Sequence, residues 1–561
     1  MANISKSKTL FFVTSPRSPM KLRPEIKLLV DNFTGRKFDK STQLDYAELL
    51  KNSSFFEGSA SGDSDFSARD RITRAPKALG FVDLNPISLT DAGKQFLDDE
   101  MAEEALLRQL LKFQLPSPFH KESAGVKGIF YVRPYLELFR LINDLGKVTF
   151  DEMELFGMQL TDYRKYDKVK NDILEYRIKM KNHAGSYKEF KENCHSDIIK
   201  EVYAEDIKYG KTKTRESKDE SLNKFIATKK SNMRDYTDAC FRNLRSTGLA
   251  SISQKGRSIY ITPEKQKEVE FFLRNEQREP VFINDEKQYK KYLYDSKLPV
   301  LDTDNKPYLI SELTRRNAAN GRNLESMSIA ELKKALKVVI AHDRDEIIRE
   351  QEKRIKSFKD YADVMNVYKD IKDKQVYDAP LMLEWNTWRA MTMLDGGDIH
   401  ANLKFDDNGE PMATAAGNAS DIVCDYGDFS LSVEVTMQSG QRQYETEGEP
   451  VSRHLANLKK TKNKDAYCFF IAPKINDSCI AFFYMLHKTN IDFYGGKSVI
   501  LPIELDVFEK MVEGSKTSKY VPEPSNIKKL CEYSLSVAEN TDSEKDWYDK
   551  LKEKEIEWLA A

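Results

Sequence analysis

The stretch SDIVCDYGDFSLSVEVT, residues 420–436, contains two acids, Asp421 and Glu434, that could bind one cation together. An apolar run, the turn-forming DYGD and a run that alternates apolar and polar residues follow in that order, which predicts a β-hairpin. With the turn centred on the YG pair, Asp421 faces Ser432, and Glu434 lies diagonally across on the same face. Diagonal neighbours stand about 7–8 Å apart, within reach of a shared ion. The alternative is two solvated acids on an exposed strand face.

A third acid, Glu384, lies in DAPLMLEWNTWRAMTML, residues 378–394, for which the spacing predicts an amphipathic helix. The apolar stripe of this helix is formed by Leu381, Trp385, Trp388 and Met391. The same spacing puts Glu384 on or beside the stripe. A carboxylate on a packing face is costly without a partner, so placement at the exposed edge of the stripe is the alternative.

Further acids follow the predicted strand in the segment TEGEP, which we interpret as a loop that enters a helix. Gly448 suits the loop and Pro450 suits the first helical turn. Glu447 and Glu449 then stand at the helix entry, where interaction with the helix dipole is an alternative explanation. His454 follows one turn later, and a histidine on a helix is more often structural than catalytic.

The order of these residues indicates more than each residue separately. A helix acid, a hairpin Asp, a strand Glu and another buried strand form the layout of PD-(D/E)xK nuclease cores. In such cores carboxylates hold Mg²⁺, which prefers oxygen ligands, and a water near the ion attacks the phosphorus. The usual lysine is missing, because Thr436 stands two positions after Glu434.

Such a site needs a sheet with flanking helices, and the C-terminal half contains the elements for one. DAYCFFIAP (465–473) and SVILPIEL (498–505) are short apolar runs typical of buried strands. Charged helices without a sustained heptad are predicted over 325–374, and a further helical segment over 525–561. We therefore predict a nuclease core of the α/β class, a mixed sheet flanked by helices, within residues 303–561.

The composition indicates a multidomain α+β and α/β protein. The 561 residues are 40% hydrophobic and 32% charged, which is typical of a globular chain with about two to four domains. No apolar run approaches the length of a membrane span, and no secretion signal is evident. The six cysteines show no zinc spacing and suit buried, reduced positions, so a cytoplasmic location is expected.

A local excess of positive charge lies in residues 207–257, which hold thirteen Lys and Arg against five Asp and Glu. The whole chain has a formal net charge of −1. A basic stretch inside a neutral chain indicates a polyanionic partner on one face. The alternative is a solvated helix face.

Two stretches share an outline of helix, hairpin and helix with basic residues, as in winged-helix modules that bind DNA. In the first, a basic helix from about Ser67 ends near Gly80, and Pro76 can kink it. A hairpin then turns at Asn85-Pro86, and Thr90 can cap the next helix.

The second outline occupies residues 210–270. Its helix ends at Gly248, its hairpin turns at Gly256, and Thr262-Pro263 begins another helix. After Asn275 the pattern loosens, which predicts a linker. The predicted domains are a first DNA-recognition subdomain (1–150), a second one (151–275), a linker (276–302) and a cleavage domain (303–561).

Arginine is the commonest bidentate reader of guanine, so candidate DNA contacts come from the basic residues of the two outlines. Asp70 could hold an arginine in position or accept a hydrogen bond from cytosine. The residue types do not separate base readers from phosphate contacts. The candidates are Arg69, Asp70, Arg71, Arg74, Lys77, Arg234, Arg242 and Arg245.

Several segments of the chain resemble a known family. AAGNASDIVCDYGDFSLSVEVTMQSG, EGEPVSRH and LEWNTWRA resemble cleavage-domain motifs of the AlwI-like restriction endonucleases. TSPRSPMKLRPEIKLL, ARDRITRAPKALGF and LLKFQLPSP resemble the same family, nearest to its PleI and MlyI branch, which includes the nicking enzyme BstNBI. The resemblance spans nearly the whole chain.

This resemblance implies a type IIS enzyme that binds a short asymmetric DNA sequence and cuts a few bases to one side with Mg²⁺. It places the catalytic, metal-binding carboxylates on Asp421, Glu434 and Glu447, with Glu384 and His454 in support. GAGTC is favoured over GGATC as the target. The family also carries Val-Thr after the strand glutamate, so Thr436 departs only from the wider superfamily.

Three functions stay open: a double-strand cutter, a strand-specific nicking enzyme, and a DNA-binding regulator with an inactive nuclease domain. The implied partners are double-stranded DNA and a second copy in a transient homodimer of cleavage domains. A cognate DNA methyltransferase of the same prokaryotic system is also implied, without direct contact, and no membrane.

Overall fold

The computed structural model describes residues 2–3, 7–16, 18–53, 55, 70–121, 129–214, 216–253, 256–318, 323–394, 397–415, 419–520 and 522–559. The chain divides into two compact units. The first comprises Met1–Ser253 and Arg257–Ile340, and the second comprises Gln254–Gly256 and Ala341–Ala561.

The first unit is mainly helical. Its helices are α1 (Leu22–Phe33), α2 (Lys40–Lys51), α3 (Asp91–Leu97), α4 (Ala102–Lys112), α5 (Pro134–Leu145), α6 (Phe150–Leu155), α7 (Tyr166–Asn182), α8 (Tyr187–Val202), α9 (Ala204–Lys208), α10 (Leu222–Arg245), α11 (Gln266–Asn275), α12 (Glu286–Tyr294), α13 (Lys306–Arg315) and the start of α14 (Ile329–Lys356). Its strands are β1 (Ala2–Asn3), β2 (Val82–Leu84), β3 (Ile87–Leu89), β4 (His120–Lys121), β5 (Lys147–Thr149), β6 (Ala250–Ile252) and β7 (Ser258–Ile261).

The first helix-and-hairpin outline is present in this unit. A π-helical turn over Thr73–Lys77 contains Pro76, which lacks the N–H that a regular helix needs at that point. Strands β2 and β3 pair antiparallel. The Thr90 hydroxyl accepts the Gly93 N–H at 2.9 Å and caps α3, as the sequence predicts.

The second outline is also present, and it is more elaborate than predicted. Helix α10 leads into β6, and β6 and β7 form an antiparallel hairpin. Strand β5 adds to β7, so the sheet has three strands in the order β5-β7-β6. Three helices, α7 to α9, stand between α6 and α10 in the chain.

Residues 276–302, predicted as a linker, are instead packed into the first unit. Helix α12 buries Tyr289 and Leu293 against Phe119. The Lys112 ammonium donates to the carbonyls of Leu293 and Asp295 at 2.9 and 2.7 Å. The division between the units lies at Ile340, later than the predicted boundary, because these buried contacts join the segment to the preceding helices.

The second unit surrounds a mixed sheet. Its helices are the rest of α14, α15 (Tyr361–Lys372), α16 (Ala379–Leu394), α17 (Gln441–Lys462), α18 (Asp477–Lys488), α19 (Leu505–Thr517), α20 (Pro524–Glu539) and α21 (Glu544–Ile556). Its strands are β8 (Asp398–Ala401), β9 (Lys404–Phe405), β10 (Pro411–Ala413), β11 (Ile422–Asp425), β12 (Phe429–Val435), β13 (Asp465–Ala472) and β14 (Ile500–Glu504).

The five-stranded sheet has the order β14-β13-β12-β11-β8. Strands β12, β13 and β14 run parallel to one another, whereas β11 is antiparallel to both of its neighbours. The two predicted apolar runs become β13 and β14, which are buried on both faces, as parallel strands with helices on either side require. The prediction of a mixed sheet flanked by helices is confirmed.

The hairpin of β11 and β12 has a different register from the predicted one. Val423 pairs with Ser432, which puts Asp421 level with Glu434 instead of with Ser432. The turn is centred one residue later than predicted, because Gly427 adopts φ +85 at the first turn position. Only glycine takes that conformation readily, and a two-residue hairpin turn places it there.

Helix α16 is buried on all sides rather than amphipathic. Every residue from Leu381 to Leu394 is buried, including polar Asn386 and Arg389. The Arg389 guanidinium bonds Asp363 of α15 at 2.7 Å and lies 4.4 Å from the centre of the Trp385 ring. A polar residue in this central helix is therefore paired with another side chain.

No helix in the described ranges is long and apolar enough to cross a membrane. All six cysteines are described and none forms a disulfide. Five are buried and Cys194 is half-buried, which agrees with the prediction that the cysteines occupy buried positions.

Candidate active site

The end of β12 organises the candidate site through three consecutive residues. The side chain of Glu434 points into the site and is 6% exposed. The next backbone N–H, that of Val435, donates to Asp421 Oδ2 at 2.7 Å. The hydroxyl of Thr436 donates to Glu447 Oε1 at 2.8 Å. One strand end therefore positions three acids from three different parts of the chain.

Glu434 is held by a histidine from α17. His454 Nδ1 lies 3.0 Å from Glu434 Oε1, and both residues are buried. When Glu434 is ionised its carboxylate only accepts, so Nδ1 then carries the proton of this pair. Burial raises the pKa of Glu434, and the hydrogen bond with His454 opposes part of that rise.

Glu447 lies inside a helix and not in a loop. Helix α17 begins at Gln441, so the predicted entry at residues 446–450 is wrong and Pro450 lies within the helix. The first turn of this fully described helix contains no acid, which removes the helix dipole as the explanation for Glu447. Glu449 is exposed and pairs with Arg453 at 3.2 Å.

Glu384 comes from α16 and is 4% exposed, so the alternative of an exposed edge position is wrong. Its Oε1 accepts the backbone N–H of Ala415 at 2.8 Å. The partner that a buried carboxylate needs is thus supplied in part by the segment between β10 and β11.

Three neighbouring carboxylates act electrostatically on Asp421. Burial and the negative charges of Glu384 and Glu434 raise the pKa of Asp421 well above its usual range, and Glu447 acts in the same direction. The Val435 N–H opposes this rise. Negative charges held this close together are unfavourable on their own, and a bound cation would neutralise them.

The donor set fits Mg²⁺ held by few protein ligands. In the described part of the chain, no three or more His, Cys, Asp or Glu side chains form a ready group of metal ligands. Mg²⁺ keeps several waters and takes only one or two carboxylates in kinase, ATPase and polymerase sites. Asp421 and Glu434, level with each other at the strand ends, are the pair that matches this requirement.

Sequence reasoning missed the groups that hold the acids. These are the Val435 N–H, the Ala415 N–H, and Ser420, whose hydroxyl also hydrogen-bonds Glu434. Backbone donors carry no signal in the sequence. The one available signal was an acid predicted on a packing face, because a carboxylate that becomes buried needs a hydrogen-bond donor.

The candidate DNA-contact residues of the first outline are placed in different ways. Arg69 lies outside the described residues. Asp70 pairs with Arg74 at 2.6 Å. Arg71 donates hydrogen bonds to the buried Glu25 and so stabilises the first unit. Lys77 lies 4.9 Å from the centre of the Phe119 ring. Of the described residues in this set, Arg74 is exposed.

In the second outline the structure separates the three arginines of α10. Arg234 is exposed. Arg242 and Arg245 are buried, and Arg242 pairs with Asp238 at 3.0 Å. The prediction that these two contact DNA is therefore not supported in this conformation, because α10 turns its C-terminal part toward the core of the unit.

Comparison with known proteins places the chain among restriction endonucleases. A family model described as "AlwI restriction endonuclease" matches residues 77–511, which is most of the chain and part of both units. The chain belongs to the AlwI restriction endonuclease family. It is therefore a nuclease that acts on DNA, and the family resemblance drawn from its motifs is confirmed.

Two solved structures are similar over part of the chain. The small subunit (R.BspD6I2) of the heterodimeric restriction endonuclease R.BspD6I is 26% identical, with 35% of this chain and 95% of that chain covered and a TM-score of 0.28. The BpuJ1 endonuclease binding domain, solved with pyrene- and phenanthrene-modified DNA, is 11% identical, with 51% and 93% covered and a TM-score of 0.33. Both TM-scores are too low to define a shared overall fold. The comparison with curated proteins gives no match.

Proposed function

We propose that the protein is a type IIS restriction endonuclease. It recognises a short asymmetric duplex sequence through its first unit and hydrolyses phosphodiester bonds a few bases to one side with Mg²⁺. GAGTC is the target that the motif resemblance favours. The observation that carries the proposal is the meeting of Glu384, Asp421, Glu434 and Glu447 with His454 in the second unit.

Each of these residues has a distinct task in the proposed reaction. Asp421 and Glu434 hold the cation, Glu447 adds negative charge beside them, and His454 keeps Glu434 in one orientation. When bound, Mg²⁺ lowers the pKa of a water and offsets the charge that grows on the phosphate. Glu384 is fixed to the Ala415 N–H, and its negative charge adds to the cluster around Asp421 that a bound cation would neutralise.

For recognition we propose that both helix-and-hairpin outlines act as winged-helix modules. The three-stranded sheet of order β5-β7-β6, whose β6–β7 hairpin follows helix α10, supports this proposal for the second module. Arg74 and Arg234, both exposed, are the candidates best placed to reach DNA. A cognate methyltransferase would protect the same target in the host without contacting this protein.

One carboxylate cluster can serve one strand at a time. Cutting both strands then needs a second cleavage unit, which we propose comes from a second copy of the protein. An asymmetric target offers no half-site for a stable symmetric dimer, so the homodimer on DNA is transient. A strand-specific nicking enzyme is the alternative, and a regulator with an inactive nuclease unit is another. The clustered acids speak against the inactive regulator.

Digestion of a plasmid with and without Mg²⁺, followed by run-off sequencing of both strands, tests these functions together. We expect cleavage only with Mg²⁺, nicked circles before linear product, and breaks at a fixed offset from one short sequence. Nicked circles that never become linear would identify a nicking enzyme. A protein that binds the sequence and never breaks it would identify the regulator.

Asp421→Ala and Glu434→Ala should each lower the cleavage rate at least about a hundredfold, because even outer partners of metal ligands cost 10–100-fold. Specific binding should persist, since recognition lies in the first unit. A gel shift and a cleavage assay on the same protein measure both. Glu445→Ala, an exposed acid on the same helix as Glu447, is the matched control and should cut normally. Retained cutting by either active-site variant would contradict the assignment of Asp421 and Glu434 as cation ligands.

A further inference from the structure

The residue that stands at the lysine position of the strand motif has a defined partner. Side chains two apart on a strand share a face, so Thr436 lies on the same face as Glu434. It is 7% exposed. Its hydroxyl therefore lies among the carboxylates and has little contact with solvent.

The Thr436 hydroxyl both donates and accepts a hydrogen bond. It donates to Glu447 Oε1 at 2.8 Å and accepts the backbone N–H of Gln438 at 3.0 Å. A hydroxyl has a single proton to donate. With that proton directed at a carboxylate, Thr436 cannot supply the charge or the donor that a lysine ammonium would bring to a phosphate or a water.

We propose that Thr436 is a positioning residue that fixes Glu447 beside Asp421 and Glu434. The negative charge of a third carboxylate then acts on the bound cation at the place where a lysine stands in related cores. The inference rests on the proposed function. It adds a role for a residue that neither binds the cation nor reacts. The charge of Glu447 already acts on Asp421 in the free protein, which agrees with this placement.

Removal of the hydroxyl leaves the strand pairing itself intact. The backbone N–H of Thr436 donates to the Ile471 carbonyl at 3.1 Å, and a side-chain substitution does not change that bond. The hydroxyl could still act by another route, because it also holds the turn at Gln438. Gln443 holds the same turn independently, with its amide donating to the carbonyls of Gln438 and Lys474 at 3.0 Å each.

The test compares Thr436→Val, which keeps the shape and removes the hydroxyl, with Thr436→Ser, which restores it. Gln443→Met removes the two bonds from Gln443 to the turn, and with them the acceptor of the Asn476 N–H, without changing an atom of Thr436 or Glu447. Mn²⁺ affinity of the full-length protein is measured by isothermal titration, and the Mg²⁺ concentration for half-maximal cleavage is measured in parallel. Melting temperatures confirm that each variant is folded.

We expect Thr436→Val to weaken Mn²⁺ binding and raise the Mg²⁺ requirement about tenfold or more, as loss of an outer partner does. Thr436→Ser restores the hydroxyl, so its Mn²⁺ affinity should lie within about twofold of wild type. Gln443→Met should bind Mn²⁺ as wild type does, because a change that does not interact with the site leaves its affinity within about twofold. In the Glu447→Gln background, Thr436→Val should cost little more, because both changes remove the same interaction.

Wild-type affinity in Thr436→Val, or wild-type protein that binds no Mn²⁺, overturns the inference. So does a Gln443→Met variant that reproduces the loss, because the hydroxyl would then act through the turn. Full additivity of Thr436→Val and Glu447→Gln also contradicts it. Failure of the proposed function is distinct, since wild-type protein would then break no DNA at any Mg²⁺ concentration.

Discussion

Asp421 is the residue on which the charges of the site converge. Its carboxyl is held by one backbone N–H and faces three other acids. Because its pKa is raised, the folded chain holds the proton more tightly than the unfolded chain does, and ionisation costs folding free energy. The cost is absent below the ordinary carboxyl pKa of about 4 and grows as the pH rises toward the raised value.

Asp421→Asn should therefore stabilise the protein when divalent cations are removed. The amide oxygen can still accept the Val435 N–H, and the repulsion is gone. We expect a melting temperature about 2–4 °C above wild type at pH 8, with the difference closing near pH 4. Differential scanning calorimetry in EDTA across this pH range measures it.

Addition of Mg²⁺ provides the converse control for the same pair of proteins. It should raise the melting temperature of wild type and leave that of Asp421→Asn nearly unchanged, because a ligand stabilises only the state that binds it. An Asp421→Asn protein that melts below wild type at pH 8 in EDTA would show that the acids are not in mutual repulsion.

At the scale of elements, the hairpin of β11 and β12 decides which residues meet. A one-residue shift of the turn moves Asp421 from opposite Ser432 to opposite Glu434. Gly427 supports this register through its positive φ, and a Cβ there would meet nothing within 4 Å. Backbone conformation, and not space, therefore limits the residue at this position.

Gly427→Ala should cost about 1–2 kcal/mol of folding free energy, because an L side chain disfavours that backbone region. Denaturant unfolding of the full-length protein measures the loss. Gly514→Ala is the matched control: it lies in α19, its φ is ordinary, and its Cβ would make normal contact 3.7 Å from the Trp558 ring nitrogen. That control should be neutral or gain about 0.4–1 kcal/mol. Equal effects at both sites would contradict the turn assignment.

At the scale of the whole molecule, the first unit extends through residues that carry few sequence signals. Buried Arg133 donates to the Gln277 carbonyl at 2.6 Å and pairs with Glu276 at 3.0 Å. Arg108 bonds Asp304 at 2.7 Å. Further along, α13 and the start of α14 share a small apolar core of Leu309, Leu313, Leu324, Leu332 and Leu336.

A fragment of residues 1–356, which ends with α14, should fold and bind target duplex. A fragment of residues 1–275 should be unstable, since Lys112 would lose the carbonyls of Leu293 and Asp295, and Arg133 would lose Glu276 and the Gln277 carbonyl. Buried charges that lose partners cost several kcal/mol. Circular dichroism melting and gel shifts compare the two. Binding by the longer fragment should weaken with salt at a log–log slope of about 0.9 per phosphate contact. A shorter fragment as stable as the longer one would contradict this account of the unit.

The sequence by itself determined the features that depend on local pattern. Alternation and turn composition predicted β11 and β12, apolar runs predicted β13 and β14, and Thr90 was predicted as a cap. The order of the acids predicted a nuclease-type site, and the motifs predicted the family. These signals are readable because strand period, caps and motif order are written in residues close together in the chain.

Only the tertiary structure decided which groups meet across the chain. The hairpin register depended on the φ of one glycine, and the burial of Glu384 depended on helices that surround α16. Burial of Arg242 and Arg245, two of the predicted DNA contacts, likewise came from packing. A side chain's exposure and its partner's distance are set by elements far away in sequence, and residue types alone do not encode them.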